Sequence, residues 1–138
     1  MIIVTGGAGF IGSNIVKQLN ERGRNDILIV DDLTDGSKIR NLQMLDYYDY
    51  VDCIDFDDAV ANNTFDIGPI EVVFHQGACA DTMNYDGRYM MHNNFEGTKN
   101  LFHYCQERRV PFIYASSAST YGHGKNGFTE KPECEEAL

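Results

Sequence analysis

The chain has 138 residues, 43% of them hydrophobic, enough apolar content to bury the core of one domain and to exclude a disordered segment. Eleven Lys and Arg against 21 Asp and Glu give a formal net charge of −10, which would repel a phosphate backbone and excludes a general nucleic-acid binder. No apolar run approaches the roughly 20 residues of a membrane-spanning helix, and the amino end shows no secretory pattern, so a cytoplasmic protein with no membrane partner is expected.

Ile2, Ile3 and Val4 form a short apolar run closed by glycines, the pattern of a buried parallel strand. From Phe10 the period changes: Ile11, Ile15, Val16 and Leu19 recur at helical spacing, and Gly23 follows as a carboxyl-terminal cap. Ile27 to Val30 is a second strand; it ends in Asp31, and the loop DDLTDGSK leads to a helical turn or two over 39–45. Tyr50 to Ile54 reads as a third strand, Phe56 to Ala61 as a short helix, and Val72 to His75 as a fourth strand ending at QGACA. A longer helix is expected over 85–105, with Tyr89, Leu101, Phe102 and Cys105 among its core positions despite Gly97, and Pro111 introduces Phe112 to Ala115 as a fifth strand.

Strands alternating with helices at this spacing argue an α/β architecture, a doubly wound parallel sheet covered by helices on both faces. Beyond Ser119 periodicity is lost, and a domain of this class is expected to run on. Residues 1–138 therefore read as one incomplete dinucleotide-binding Rossmann domain whose substrate-binding part is absent. Cys53, Cys79, Cys105 and Cys134 lie far apart and read as reduced thiols; the four histidines lack ligand spacing, so no metal is expected. Asp46, Asp49, Asp52, Asp55, Asp57 and Asp58 read as a solvated face.

The segment TGGAGFIG follows a strand, opens a helix, and precedes by 19 residues, counted from Gly12, the acidic end of the next strand. That context makes it a dinucleotide-binding fingerprint rather than a plain turn. Gly6 permits the tight turn, Gly9 lets backbone approach a pyrophosphate, and Gly12 lets the helix pack near the strand. The amide end of the helix, with Phe10 and Ile11 in its first turn, supplies N–H groups to an anion, and Asp31 suits a ribose hydroxyl.

Four segments, TGGAGFIG, FHQGA, NNFEGT and YASSASTYG, together resemble the extended short-chain dehydrogenase/reductases that act on nucleotide sugars. The resemblance implies that Gln76, Gly77, Ala78, Cys79 and Ala80 pass over the cofactor, that Asn93 reaches it from the long helix, and that Ser117 is a catalytic serine. Cys79 itself reads as a small packed side chain. The family's tyrosine–lysine acid/base pair is expected beyond these residues, with no tyrosine of the chain followed by a lysine four positions on. The chain alone is therefore expected to turn nothing over. An epimerase working through a bound nicotinamide, with a nucleotide-sugar substrate and a homo-oligomeric state, is the implied function. Another nucleotide-sugar epimerase or dehydratase, or a non-catalytic dinucleotide-binding module, is the alternative.

For the cofactor the residues and the resemblance differ. Asp31, with Asp32 beside it, suits NAD. The branch of the family acting on ADP-heptose, nearest in pattern, implies NADP held by basic side chains. Lys38 matches one of them, whereas Asp32 replaces an Asn and Cys53 a lysine. NADP is the expected cofactor and NAD the alternative.

Overall fold

The structure, a computed structural model, describes residues 1–81 and 83–135. Five strands, β1 (Ile2–Thr5), β2 (Ile27–Asp31), β3 (Asp49–Asp52), β4 (Val72–His75) and β5 (Phe112–Tyr114), form one sheet in the order β3-β2-β1-β4-β5. Every pairing is parallel; Ile2 sits opposite Ile27 on one side and Val72 on the other. Because β1 and β2 are central and covered twice, all their residues are buried, which is why they read as unbroken apolar runs rather than alternating ones.

The two faces bury separate cores. Ile2, Val4, Ile27 and Ile29 pack with Val16 of α1 (Phe10–Glu21) and with Leu42. Ile3, Leu28, Val30 and Val73 point the other way, against Phe56 and Val60 of α2 (Cys53–Ala61) and Leu101, Tyr104 and Cys105 of α4 (Gly97–Arg108). Helices on both faces of a parallel sheet are what the alternation of elements predicts. Helix α1 ends in paired bonds from Gly23 N–H to Asn20 O (2.8 Å) and Arg24 N–H to Leu19 O (3.0 Å), the Schellman pattern expected around that glycine.

Several boundaries move, each for a local reason. The third strand is Asp49–Asp52 because Asp52 then caps α2, its carboxylate accepting from Ile54 N–H at 2.9 Å, so the helix starts at Cys53 rather than Phe56. The turn expected over 39–45 is a 3₁₀ segment, Gly36–Asn41, capped by Asp35 on Ser37 N–H at 2.9 Å. The long helix runs as α3 (Gly87–Met91), a π turn (His92–Glu96) and α4, closed by Arg109 in the left-handed region. An i→i+5 turn rotates the helix face. Two expected core positions fall outside the core: Tyr89, ahead of the turn, and Phe102, on α4 beside the buried Leu101, are 43% and 45% exposed, while Tyr104 is buried with its hydroxyl on Phe65 O at 3.1 Å. Ile11 likewise turns outward.

The chain winds from β1 through β2 to β3 on one side, then crosses to β4 on the other side of β1. Connections leaving β1 and β4 thus diverge at the carboxyl edge of the sheet and leave a crevice.

Candidate functional site

A cavity of about 450 Å³ occupies that crevice, lined at the ends of β1, β2 and β4. Gly6 opens its floor with φ +65°, and a Cβ there would stand 2.8 Å from the Gln76 carbonyl and the Gly77 nitrogen. The turn therefore needs glycine both for its left-handed backbone and for the loop seated against it. A Cβ on Gly12 would stand 2.1 Å from Gly6 O, so α1 meets the glycine turn backbone to backbone. Gly9 is the N-cap, with no side-chain cap and no acidic residue in the first turn. The first intrahelical bond runs from Ser13 N–H to Gly9 O at 3.0 Å, leaving the N–H groups of Phe10, Ile11 and Gly12 at the open end of the helix.

The turn is pinned from β2. Asp31 is 6% exposed; its Oδ2 accepts from Ala8 N–H at 2.8 Å, and its Oδ1 accepts from Asp32 N–H at 2.8 Å and Lys38 Nζ at 2.9 Å. Lys38 Nζ also donates to Asp32 O at 2.9 Å, and Asn41 donates to Ala8 O at 2.8 Å. Burial pushes the Lys38 ammonium down, but its hydrogen bond to Asp31 and the charges of Asp31 and Asp32 outweigh this, leaving it above the ordinary lysine value. Hydrogen bonding by Thr34 holds the Asp32 carboxyl below the usual range. Cys53 faces the same space, its thiol pushed up to about 11 by burial and then by Asp52, so it is a protonated packing group rather than a nucleophile.

The loop after β4 closes the other wall, and the π turn clamps it. Asn94 Oδ1 accepts from Cys79 N–H at 2.7 Å while its Nδ2 donates to Cys79 O at 3.0 Å, so one side chain satisfies both backbone groups. Cys79 thus contributes its backbone here. His75 bridges Thr5 and Thr98, and Gly77 N–H donates to Thr5 Oγ1 at 3.0 Å. Gly97 explains itself by proximity: a Cβ there would come to 3.2 Å of Asp57 Oδ2, where α4 crosses α2. Asp57 departs from the expected solvated face; it is half-buried on the cavity wall, and burial raises its carboxyl above the ordinary value.

Of the residues singled out from sequence, Gly6, Gly9, Asp31, Asp32, Lys38, Gln76, Gly77, Ala78, Cys79, Ala80 and Asn93 all line this one cavity. Phe10, Ile11 and Gly12 form the helix end beside it rather than its lining; Phe10 and Ile11 are 82% and 60% exposed. Asn93 spends its amide on Tyr89 O at 3.1 Å, and it is its neighbour Asn94 that holds the loop. Ser117 stands outside the lining. It caps a 3₁₀ turn after β5, with its Oγ 2.6 Å from Ser119 Oγ and accepting from Ser119 N–H at 3.2 Å. Tyr121 does have a lysine four positions on, Lys125, against the expectation that no tyrosine does. That spacing aligns two side chains only on a helix, and 122–126 forms turns here, with the Tyr121 ring packed on Phe128 at 5.9 Å. Thr5, His75, Asn94 and Thr98 were not legible as a group, because each finds its partner across tens of residues; the only local hint is the i, i+4 spacing of Asn94 and Thr98.

The NAD dependent epimerase/dehydratase family matches residues 2–137. The ADP-L-glycero-D-manno-heptose-6-epimerase of Alkalilimnicola ehrlichii is 57% identical over the whole chain, which covers 42% of that relative. The chain therefore spans less than half the length of the curated relative it matches. The solved heptose epimerase of Helicobacter pylori superposes with a TM-score of 0.75 at 22% identity, over 97% of this chain and 44% of that one, a likeness of fold. The UDP-glucuronic acid 4-epimerase of Bacillus cereus, solved in complex with NAD, is 26% identical with a TM-score of 0.70, over 88% of this chain and 41% of that one. No helix among the described residues is long and apolar enough to cross a membrane.

Proposed function

This chain belongs to the NAD dependent epimerase/dehydratase family, and from that premise we propose that it is the dinucleotide-binding part of a nucleotide-sugar epimerase acting on ADP-heptose. The observation that carries the reading is the cavity at the carboxyl edge of the sheet, with an uncapped helix end and a buried carboxylate at the end of the next strand. A nicotinamide dinucleotide fits these residues. The bare turn at Gly9 leaves room for a pyrophosphate against the first N–H groups of α1, and the loop from Gln76 to Ala80 offers small residues beside it. Held there, such a cofactor would supply hydride transfer to and from a sugar carbon.

The chain's own residues orient and shield. Asp31 and Asn41 hold the glycine turn and Asn94 holds Cys79, while the Ser117 hydroxyl, bonded here to Ser119, would have to leave that partner to meet a substrate oxygen. By the family resemblance we place the proton-transfer groups and the sugar site outside these residues, and no turnover is assigned to them alone. The reading carries with it a homo-oligomer working in the cytoplasm.

NADP is the proposed cofactor. Asp31 already accepts from three protein donors, so it acts more as an anchor for the turn than as a free acceptor for a ribose hydroxyl. Lys38 uses two of its three hydrogens on Asp31 and Asp32 O, leaving one for a phosphate. The charges of Asp31 and Asp32 favour NAD and are the ground for the alternative. Titrating the protein, stripped of nucleotide, with each dinucleotide decides between them. Tighter binding of NADP that is lost in Lys38→Ala is the expected result; tighter binding of NAD, unchanged by Lys38→Ala, refutes it.

A further inference from the structure

His75, the last residue of β4, lies under the cavity with its ring stacked on Phe112 (5.5 Å between centroids) and both ring nitrogens engaged. Nδ1 is 2.7 Å from Thr5 Oγ1 and Nε2 is 2.8 Å from Thr98 Oγ1. The hydroxyls decide which nitrogen carries the proton. Thr98 donates its one hydrogen to Asn94 O at 3.1 Å, so it can only accept from the ring, and Nε2 must be the donor. With one proton on the ring, Nδ1 is then the acceptor, and the Thr5 hydroxyl donates to it while accepting Gly77 N–H. Every donor in this chain of bonds has one acceptor. Burial, which pushes His75 down to about 4, keeps the ring uncharged at neutral pH, as the arrangement requires.

The geometry points to His75 as a positioning residue: as the neutral Nε2–H tautomer it ties β1 to the long helix and, through Thr5 and through Thr98 with Asn94, holds both Gly77 and Cys79 of the loop that walls the cavity. It rests on the dinucleotide reading only for its effect on affinity. Asn94 and Thr98, four residues apart on the long helix, share the face turned to the sheet end. The ring spends both nitrogens on threonine hydroxyls, so its role is one of positioning. Its contribution is to fix two backbone positions from opposite sides, so that the loop does not have to be ordered when a ligand arrives.

Three measurements on the protein test this. Long-range proton–nitrogen spectra of imidazole-labelled protein should show His75 protonated at Nε2 alone near pH 7; an Nδ1–H ring or a charged one overturns the proposal. Amide hydrogen exchange should quicken about tenfold or more at both Gly77 and Cys79 in His75→Phe and in Thr98→Val, while Thr98→Ser, which keeps the hydroxyl, stays within about twofold of the parent. Unchanged exchange at the two amides, or failure of Thr98→Ser to restore it, refutes the role, and the threonine pair decides the matter if His75→Phe does not fold. Dissociation constants for NADP and NAD should rise about tenfold in Thr98→Val and not in Thr98→Ser. If the parent protein binds neither dinucleotide, the functional reading fails, and the tautomer and the exchange rates still decide the positioning role.

Discussion

Replacing Gly12 by alanine separates packing from propensity, because the two push in opposite directions. Gly12 is the third residue of α1, where alanine should favour the helix by about 1 kcal/mol. The added methyl would stand 2.1 Å from Gly6 O and 2.8 Å from Gly7 Cα, and these are backbone atoms that cannot rotate aside. Nor can the turn retreat: Gly6 abuts Gln76 and Gly77, and Ala8 is held by Asp31 on its N–H and Asn41 on its carbonyl. Overpacking against side chains costs about 1–3 kcal/mol, and against pinned backbone the upper end applies. Net of propensity, Gly12→Ala should lose about 2 kcal/mol, or roughly 6–8 °C in Tm for a chain of this size. Urea unfolding followed by circular dichroism, with an unchanged slope, measures it. Gly9→Ala is the control: its backbone is extended, its methyl would meet only Gly6 O at 3.1 Å, and stability should stay within about 1 kcal/mol while dinucleotide affinity falls. A Gly12→Ala protein as stable as the parent would refute the backbone-contact argument.

Asn94→Ala strips both partners from the Cys79 backbone and should destabilise by about 1–3 kcal/mol in urea unfolding. Asn94→Asp keeps an acceptor for Cys79 N–H but sets a carboxylate oxygen against Cys79 O, so at neutral pH it should rescue little. His75, lowered by burial from its ordinary value to about 4, favours the folded state when uncharged. Its contribution is present above about pH 6.5 and is lost as pH falls toward 4, reaching on the order of 3 kcal/mol below both values. The groups against the ring, Thr5, Thr98 and Phe112, carry no charge to offset this. The unfolding free energy of the parent should therefore fall more steeply between pH 6.5 and 4 than that of His75→Phe; parallel curves would show that His75 titrates normally.

The sheet and its order of elements were readable because the strands at its centre are buried on both sides and Gly6 and Gly12 sit where backbone must turn or touch. Ile2 to Thr5 and Ile27 to Asp31 could hardly be anything else, and TGGAGFIG carried most of the cavity with it. What escaped was whatever depends on a partner distant in sequence. Nothing near Asn94 announces Cys79, and nothing near Asn93 says that its amide would turn back to Tyr89 O instead. The π turn shifts the helix face between Tyr89 and α4, and a constant period read along the chain does not show that change.

The same reasoning explains how a chain of net charge −10 can offer a place to an anion. Net charge governs the far field, where an extended polyanion would have to lie; a compact pyrophosphate responds to the groups within a few ångströms. Near the end of β2 the acids are occupied by protein donors. Asp31 accepts from two backbone N–H groups and an ammonium, and Asp32 accepts from Thr34 N–H. What remains uncompensated is the amino end of α1, with no acidic residue in its first turn and no side-chain cap. The local field at that end is positive although the chain is acidic, and the acidity itself contributes: carboxylates at the end of β2 hold Lys38 and the glycine turn in place, so that the open N–H groups need no rearrangement to meet a phosphate.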